Sequence, residues 1–189
     1  FLRIDGAGLS VHGDINNPTL SGDTNNNIQH LGITLLQGRI YSSTYNDYAE
    51  TYEKSNSEEQ SIEGMVVALD AETGKYKICD QYASQLVVGV ISDYYGMLIG
   101  GKTIDSAEDH IDSVSQKDNF AVGVAGKVFV NVDTESIHAG DLLISSKLKG
   151  LATVCDVYKP GTVIGKALSA AQKVPNTNYY KCLMQIMLA

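Results

Sequence analysis

Slid along itself by 76 positions, the chain matches itself without a gap over 30 residues, so that residues 64–93 and 140–169 form two copies of one unit. Gly64 falls on Gly140, Gly74 on Gly150, Cys79 on Cys155, Asp80 on Asp156, Tyr82 on Tyr158, Val87 on Val163 and Gly89 on Gly165. Apolar character is kept at Val66/Leu142, Val67/Leu143, Ile78/Val154 and Val88/Ile164. Short apolar triplets separated by glycines and polar turns read as strands, not helices. Each copy therefore predicts a strand opening at the first Gly, a turn at the second, a strand running to Cys-Asp, and a strand ending at Val-Gly or Ile-Gly.

Between the copies, Phe120–Val132 alternates with the period of two that marks a strand with one buried face. After them, Tyr179–Leu188 reads as a closing strand, and Gly96–Asp118 as a polar, glycine-containing excursion. The expectation is a mainly β fold, an antiparallel β barrel or sandwich built from an internal duplication, with little helix beyond one or two turns near Asp47–Tyr52. The barrel domain spans residues 43–189. Residues 1–42 precede it as an extended β stalk or fibre segment, with β-prone triplets at Leu2-Arg3-Ile4, Leu9-Ser10-Val11 and Ile33–Leu36 set among Asn, Asp and Gly. Such a segment holds too little apolar surface to fold alone and suits a stalk in which three chains bury it together.

Composition narrows the partners. A net charge of −8 and a pI near 4.8 leave no basic footprint for a phosphate backbone, so no nucleic acid is expected. The apolar runs are short and interrupted, well under the roughly 20 residues that cross a bilayer, so no membrane insertion is expected. Cys79, Cys155 and Cys182 have no C-x-x-C spacing and read as small core residues in a chain made in a reducing cytoplasm. His12, His30, His110 and His138 are isolated, and the acidic Asp105, Glu108, Asp109 and Asp112 lack the frame of a calcium loop, so neither metal nor cofactor is expected. The chain opens on Phe1 rather than Met and reads as a fragment or processed product of a longer protein.

Residues 40–53 stand apart, with four of the chain's eleven tyrosines and the run Asn46-Asp47-Tyr48-Ala49-Glu50-Thr51-Tyr52-Glu53. This run, followed by Glu63–Val67 and Val87–Ser92, resembles the self-cleaving C-terminal chaperone domain of phage neck-appendage and tail-spike proteins. Val124–Val128, Ala139–Ser146 and Val163–Leu168 extend the resemblance, which covers residues 43–189. Members of that family usually carry Phe where this chain has Tyr52. The resemblance implies a homotrimeric assembly domain of a phage tail fibre, spike or appendage, made in the host cytoplasm, held in the virion among other virion proteins, and able to cut itself once.

For that chemistry the residues offer Asp47, Glu50 and Glu53, three apart, which a helical turn would bring onto one face. Two neighbouring carboxylates divide into an acid and a base. The scissile region is then Ser42-Ser43-Thr44, where the Ser43 hydroxyl attacks its own preceding carbonyl or a carboxylate activates water. A close trimer interface would supply the desolvation. Two other readings of the chain are a permanent, uncut structural cap of a virion fibre, and a fibre tip whose tyrosines stack on a host-surface glycan.

Overall fold

The computed structural model of the chain describes residues 2–5, 8–11, 47–93, 95–99 and 118–189. The chain divides into two compact units, Phe1–Tyr41 and Ser42–Ala189. In the first, β1 (Leu2–Asp5) and β2 (Gly8–Val11) form an antiparallel hairpin, with Leu2 opposite Val11 and Asp5 opposite Gly8. Two of the β-prone triplets lie in these strands. The rest of the expected stalk, residues 12–42, lies outside the described residues, as does Ser43–Asn46.

The second unit is built from β3 (Asp47–Glu53), β4 (Val66–Leu69), β5 (Tyr76–Ile78), β6 (Val87–Ile91), β7 (Met97–Ile99), β8 (Asn119–Val132), β9 (Leu142–Ser145), β10 (Ala152–Val154), β11 (Val163–Ala167), β12 (Gln172–Lys173) and β13 (Tyr180–Ile186). No helix occurs among the described residues. The predicted long central strand is β8 and the predicted closing strand is β13. The polar excursion contributes β7, and its residues 100–117 lie outside the described residues.

The duplication is carried into the hydrogen-bond registers. Strands β4, β5 and β6 begin and end 76 residues before β9, β10 and β11. Val67 faces Ile78 as Leu143 faces Val154. Val66 faces Val90 and Ala68 faces Val87, just as Leu142 faces Lys166 and Ile144 faces Val163. Both β6 and β11 shift register at the same step, so Val88 and Ile164 are the extra residues of matching bulges. The links at the strand ends match too. Gly64 N donates to Ile91 O as Gly140 N does to Ala167 O, and Cys79 N to Val66 O as Cys155 N does to Leu142 O.

Gly89 and Gly165, expected at strand ends, instead sit within β6 and β11 beside the bulges. A Cβ on Gly89 would run into the Gly123 carbonyl, and one on Gly165 into the Gln185 carbonyl. The absent side chain lets the neighbouring backbone approach.

The C-terminal copy closes into a barrel, running β8, β13, β11, β9, β10 and back to β8 through a parallel step at Val132 and Ala152. Its interior is apolar: Val128, Val130, Val132, Leu143, Ala152, Ala167, Cys182 and Met184 belong to one buried cluster. The first copy runs β3, β8, β6, β4, β5, and the ring is completed only by a parallel bridge from Lys54 to Tyr76. Its core is the smaller cluster of Val67, Ile78, Ile91, Phe120 and Val122.

The two rings share β8. They also reveal an equivalence that the sequence does not display. Ile91 pairs with Val122, which pairs with Glu50; Ala167 pairs with Met184, which pairs with Val128. Lys54 bridges Tyr76 as Val132 pairs with Ala152. Strand β3 is thus the counterpart of the second half of β8. Glu50, Tyr52 and Lys54 occupy the positions filled by Val128, Val130 and Val132 in the other ring. Where the other ring has three valines, the first ring thus carries two charged residues and a tyrosine along β3, the tyrosine packed against its core.

Candidate functional site around Asp47

The helical turn expected at Asp47–Tyr52 is the strand β3. Tyr48, Thr51 and Tyr52 favour extended backbone, and the strand is held on both sides, parallel to β7 (Tyr48 with Met97, Ala49 with Leu98) and antiparallel to β8. Tertiary pairing outweighs the local spacing that suggested a helix. The consequence for the carboxylates is direct. A strand sends residues three apart to opposite faces, and at the irregularity between Tyr48 and Ala49 the extra residue is Val124 of β8, so β3 keeps its alternation. The three-carboxylate face does not form. Glu53 is exposed and pairs with Lys75 at 2.7 Å. Glu50, half-buried, accepts a 2.9 Å hydrogen bond from the Tyr52 hydroxyl. Ser42, Ser43 and Thr44 lie outside the described residues, as do His12, His30, His110 and the acidic residues 105–112.

Asp47 is the exception among these acids. It is only 5% exposed, and its Oδ2 has no hydrogen-bond partner among the described residues. The space for the carboxylate exists because residue 123 is glycine. A Cβ there would lie 3.0 Å from Asp47 Oδ2, 3.0 Å from Val128 Cγ1 and 3.4 Å from Ile186 Cδ1. The carboxylate therefore shares one small space with apolar groups of β8 and of β13. The backbone carbonyl of Asp47 accepts from Gly96 N at 2.9 Å, which fixes the start of β3 against the approach to β7.

Burial pushes the Asp47 carboxyl above its ordinary value of 3.8; the Ser92 side chain and the backbone of Asp47 and Gly96 pull it part of the way back, and the Glu63 charge adds a smaller upward push. Ser92 is itself buried and anchored by its amide to Ala121 O at 3.0 Å. Burial of the carboxyl favours its protonated, proton-donating form, the direction that general-acid catalysis needs. The single chain already buries the Asp47 side chain.

The shift has a consequence for stability. An acid whose folded pKa lies above its unfolded value stabilises the fold below the unfolded pKa, and that contribution is lost as pH rises through the folded pKa. Asp47→Asn is therefore expected to raise Tm at neutral pH more than at acid pH, as measured by calorimetry of both proteins across that range.

Glu50 and Tyr52 face Val122 and Phe120 across the β3–β8 pairing. The Tyr52 ring stacks obliquely on Tyr76, with centroids 4.3 Å apart. Burial first, then the Glu50 hydrogen bond, drives the Tyr52 phenol well above its ordinary 10.0. Lys54 is buried, with its Nζ 5.0 Å from the Phe120 ring centroid and 3.3 Å from both Glu59 O and Ser61 Oγ. Because the Tyr52 ring does most of the packing, Tyr52→Phe should cost only about 1 kcal/mol, the worth of one hydrogen bond. Denaturant unfolding would read this as a small fall in midpoint with an unchanged slope.

Sequence reasoning missed Ser92, Gly123, Val128 and Ile186 as neighbours of Asp47. Gly123 interrupts the valines of β8 and was a visible irregularity, but nothing in local spacing ties residue 186 to residue 47.

A family model described as Peptidase_G2, IMC autoproteolytic cleavage domain, matches residues 14–121. The chain belongs to this family. Its fold is similar to that of two solved structures from bacteriophage phi29. The pre-mature gene product 12 aligns with a TM-score of 0.54 and 16% identity over 80% of this chain and 24% of that one. The C-terminal fragment of gene product 12 aligns with a TM-score of 0.52 and 16% identity over 75% of this chain and 100% of the fragment. The chain thus spans about a quarter of the pre-mature protein. No curated protein sequence matches it. Among the three acids expected from the sequence, Asp47 is the one whose side chain is buried.

Proposed function

We propose that this chain is the assembly domain of a phage tail fibre, spike or appendage, that it acts as a homotrimeric intramolecular chaperone within the virion's assembly, and that it cuts itself once near Ser42–Thr44. The observation that carries the reading is the buried Asp47 carboxyl with its free Oδ2, a few residues after that segment, in a chain of an autoproteolytic family. In this reading the Ser43 hydroxyl attacks the carbonyl carbon of Ser42. The C–N bond breaks, the Ser43 nitrogen takes the proton of the Asp47 carboxyl, and the Asp47 carboxylate takes up the proton that the attacking hydroxyl releases. Water then hydrolyses the resulting ester, freeing the Ser42 carboxyl and regenerating the Ser43 hydroxyl. Asp47 alone supplies the acid, and Glu50 stays engaged with Tyr52.

Support for association comes from exposed apolar residues on β3 and β7. Tyr48, Met97 and Ile99 are exposed there, Tyr48 directly opposite Met97 and Glu50 opposite Ile99. Neighbouring exposed apolar residues beside the candidate site are the kind of surface that a second and third copy would cover. Size-exclusion chromatography with light scattering, run beside a denaturing gel, tests both halves. The expected result is a mass of three chains together with two fragments. A monomer of intact chains would remove the reading.

A further inference from the structure

Two residues that frame Asp47 differ from their counterparts in the other ring, although the backbone around them is paired in the same way. Strands β3 and β6 flank β8 on opposite sides, and Ala49, Gly123 and Val90 stand in one row across the three. Side chains two apart on a strand share a face, so Asp47, two before Ala49, and Ser92, two after Val90, project to the face that carries Gly123. Asp47, Ala49, Val90 and Ser92 are all buried there. The Ser92 side chain hydrogen-bonds the Asp47 carboxyl, and Asp47 Oδ2 lies 3.0 Å from the point that a Cβ on Gly123 would occupy. A side chain at 123 would take the space the carboxyl uses.

The other ring shows what the backbone alone requires. Ser92 falls on Leu168 in the duplication, and Leu168 N donates to Leu183 O at 2.7 Å as Ser92 N donates to Ala121 O at 3.0 Å. Gly123 corresponds to Gln185, since Val90 pairs with Gly123 as Lys166 pairs with Gln185. The same pairing forms around a leucine and a glutamine, so the strands themselves call for neither the hydroxyl nor the missing side chain. Both occur in the ring that holds Asp47.

We infer that Ser92 is a positioning residue of the self-cleavage site: its hydroxyl, over the gap left by Gly123, holds the Asp47 carboxyl in one orientation for proton transfer. This rests on the self-cleavage reading and adds to it the residue that aims its acid. Ser92 acts through Asp47 and not on the bond. Proton transfer needs donor and acceptor within hydrogen-bond reach, so a carboxyl held in place gives up its proton more readily than one free to turn. Burial pushes the Asp47 carboxyl up, and the Ser92 hydroxyl, a donor that favours the charged form, draws it part of the way back. Among the described residues Glu63, just ahead of β4, is the charged group that acts on Asp47; Val128 and Ile186, which meet it from β8 and β13, carry no charge. Removing the hydroxyl therefore has two opposed effects. The carboxyl is freed to turn, which slows the cut, and it stays protonated to higher pH.

The test refolds the full chain from denaturant across a range of pH and follows the appearance of fragments on a denaturing gel, for wild type, Ser92→Ala and Ser92→Thr, with circular dichroism reporting the fold. On the acid plateau Ser92→Ala should cut more slowly by up to about tenfold, the kinetic equivalent of one hydrogen bond, and the fall of its rate on the alkaline side should move to higher pH. Ser92→Thr, which keeps a hydroxyl, should recover both the rate and the profile. Should Ser92→Ala fail to refold, Ser92→Cys, close in size but a weaker donor, decides in its place, with both changes in the same direction. A folded Ser92→Ala chain that cuts at the wild-type rate, or one that cuts slowly with the alkaline fall unmoved, would overturn the inference and leave the self-cleavage reading intact. A wild-type chain that never yields fragments would instead overturn that reading, and the role of Ser92 with it.

Discussion

Replacing Asp47 by Asn in the full chain should leave a folded protein that no longer cuts itself, with the rate of fragment formation reduced at least about a hundredfold, the lower end of what a positioned general acid contributes. Asn keeps the shape of the side chain and its polar contacts but has no proton of suitable acidity to give. It also removes the cost of ionising a group enclosed by Gly123, Val128 and Ile186, so the variant should be at least as stable as the wild type at neutral pH. Loss of cleavage in a more stable protein cannot be ascribed to unfolding. Glu50→Gln makes the contrast. Its side chain still accepts from the Tyr52 hydroxyl through the amide oxygen, and three residues along a strand place it on the face opposite Asp47. Cleavage in that variant should stay close to the wild-type rate. Equal loss in both variants, in a time course followed on a denaturing gel, would restore the paired-carboxylate mechanism.

The largest effect on stability is expected at Gly165. A methyl group there would meet the Gln185 carbonyl, with Met184 Sδ at 2.5 Å and its Cγ at 2.6 Å. The carbonyl belongs to the paired backbone of β13 and cannot swing aside as a side-chain end could. Gly165→Ala should therefore cost about 3 kcal/mol or more, a fall in Tm on the order of 10 °C for a domain of this size. Gly89→Ala, its counterpart against the Gly123 carbonyl, should behave alike. Gly140 is the control: its φ is +103°, but a Cβ there meets nothing within 4 Å. Gly140→Ala should cost only about 1 kcal/mol of backbone strain. Thermal unfolding of the three variants side by side checks the order.

The sequence made the repeated strands legible because their turn glycines and core positions recur at one spacing, and the bulges of β6 and β11 keep that spacing in three dimensions. The long β8 was legible from its alternation. Strand β3 was not, because Asp47, Glu50 and Glu53 imitate a helical face, and only pairing with β7 and β8 resolves the backbone as extended. Its equivalence to the second half of β8 was hidden as well. Where β8 has Val128, Val130 and Val132, β3 has Glu50, Tyr52 and Lys54, so the substitutions that make the segment distinctive also erase its kinship. Asp47 itself was singled out from the sequence, but for the wrong neighbour. The burial of its carboxyl comes from Gly123 and Ile186, more than 70 positions away in the chain, and no local pattern encodes that meeting.

The central claim, that Asp47 drives a single cut just ahead of β3, is tested most directly by intact mass spectrometry of the purified, folded full-length protein, wild type and Asp47→Asn together. The account predicts two wild-type products that meet within Ser42–Thr44, one of them carrying the whole barrel to Ala189, and a single uncut chain for the variant. A wild type that stays one intact species, or a variant cut to the same extent as the wild type, would contradict it.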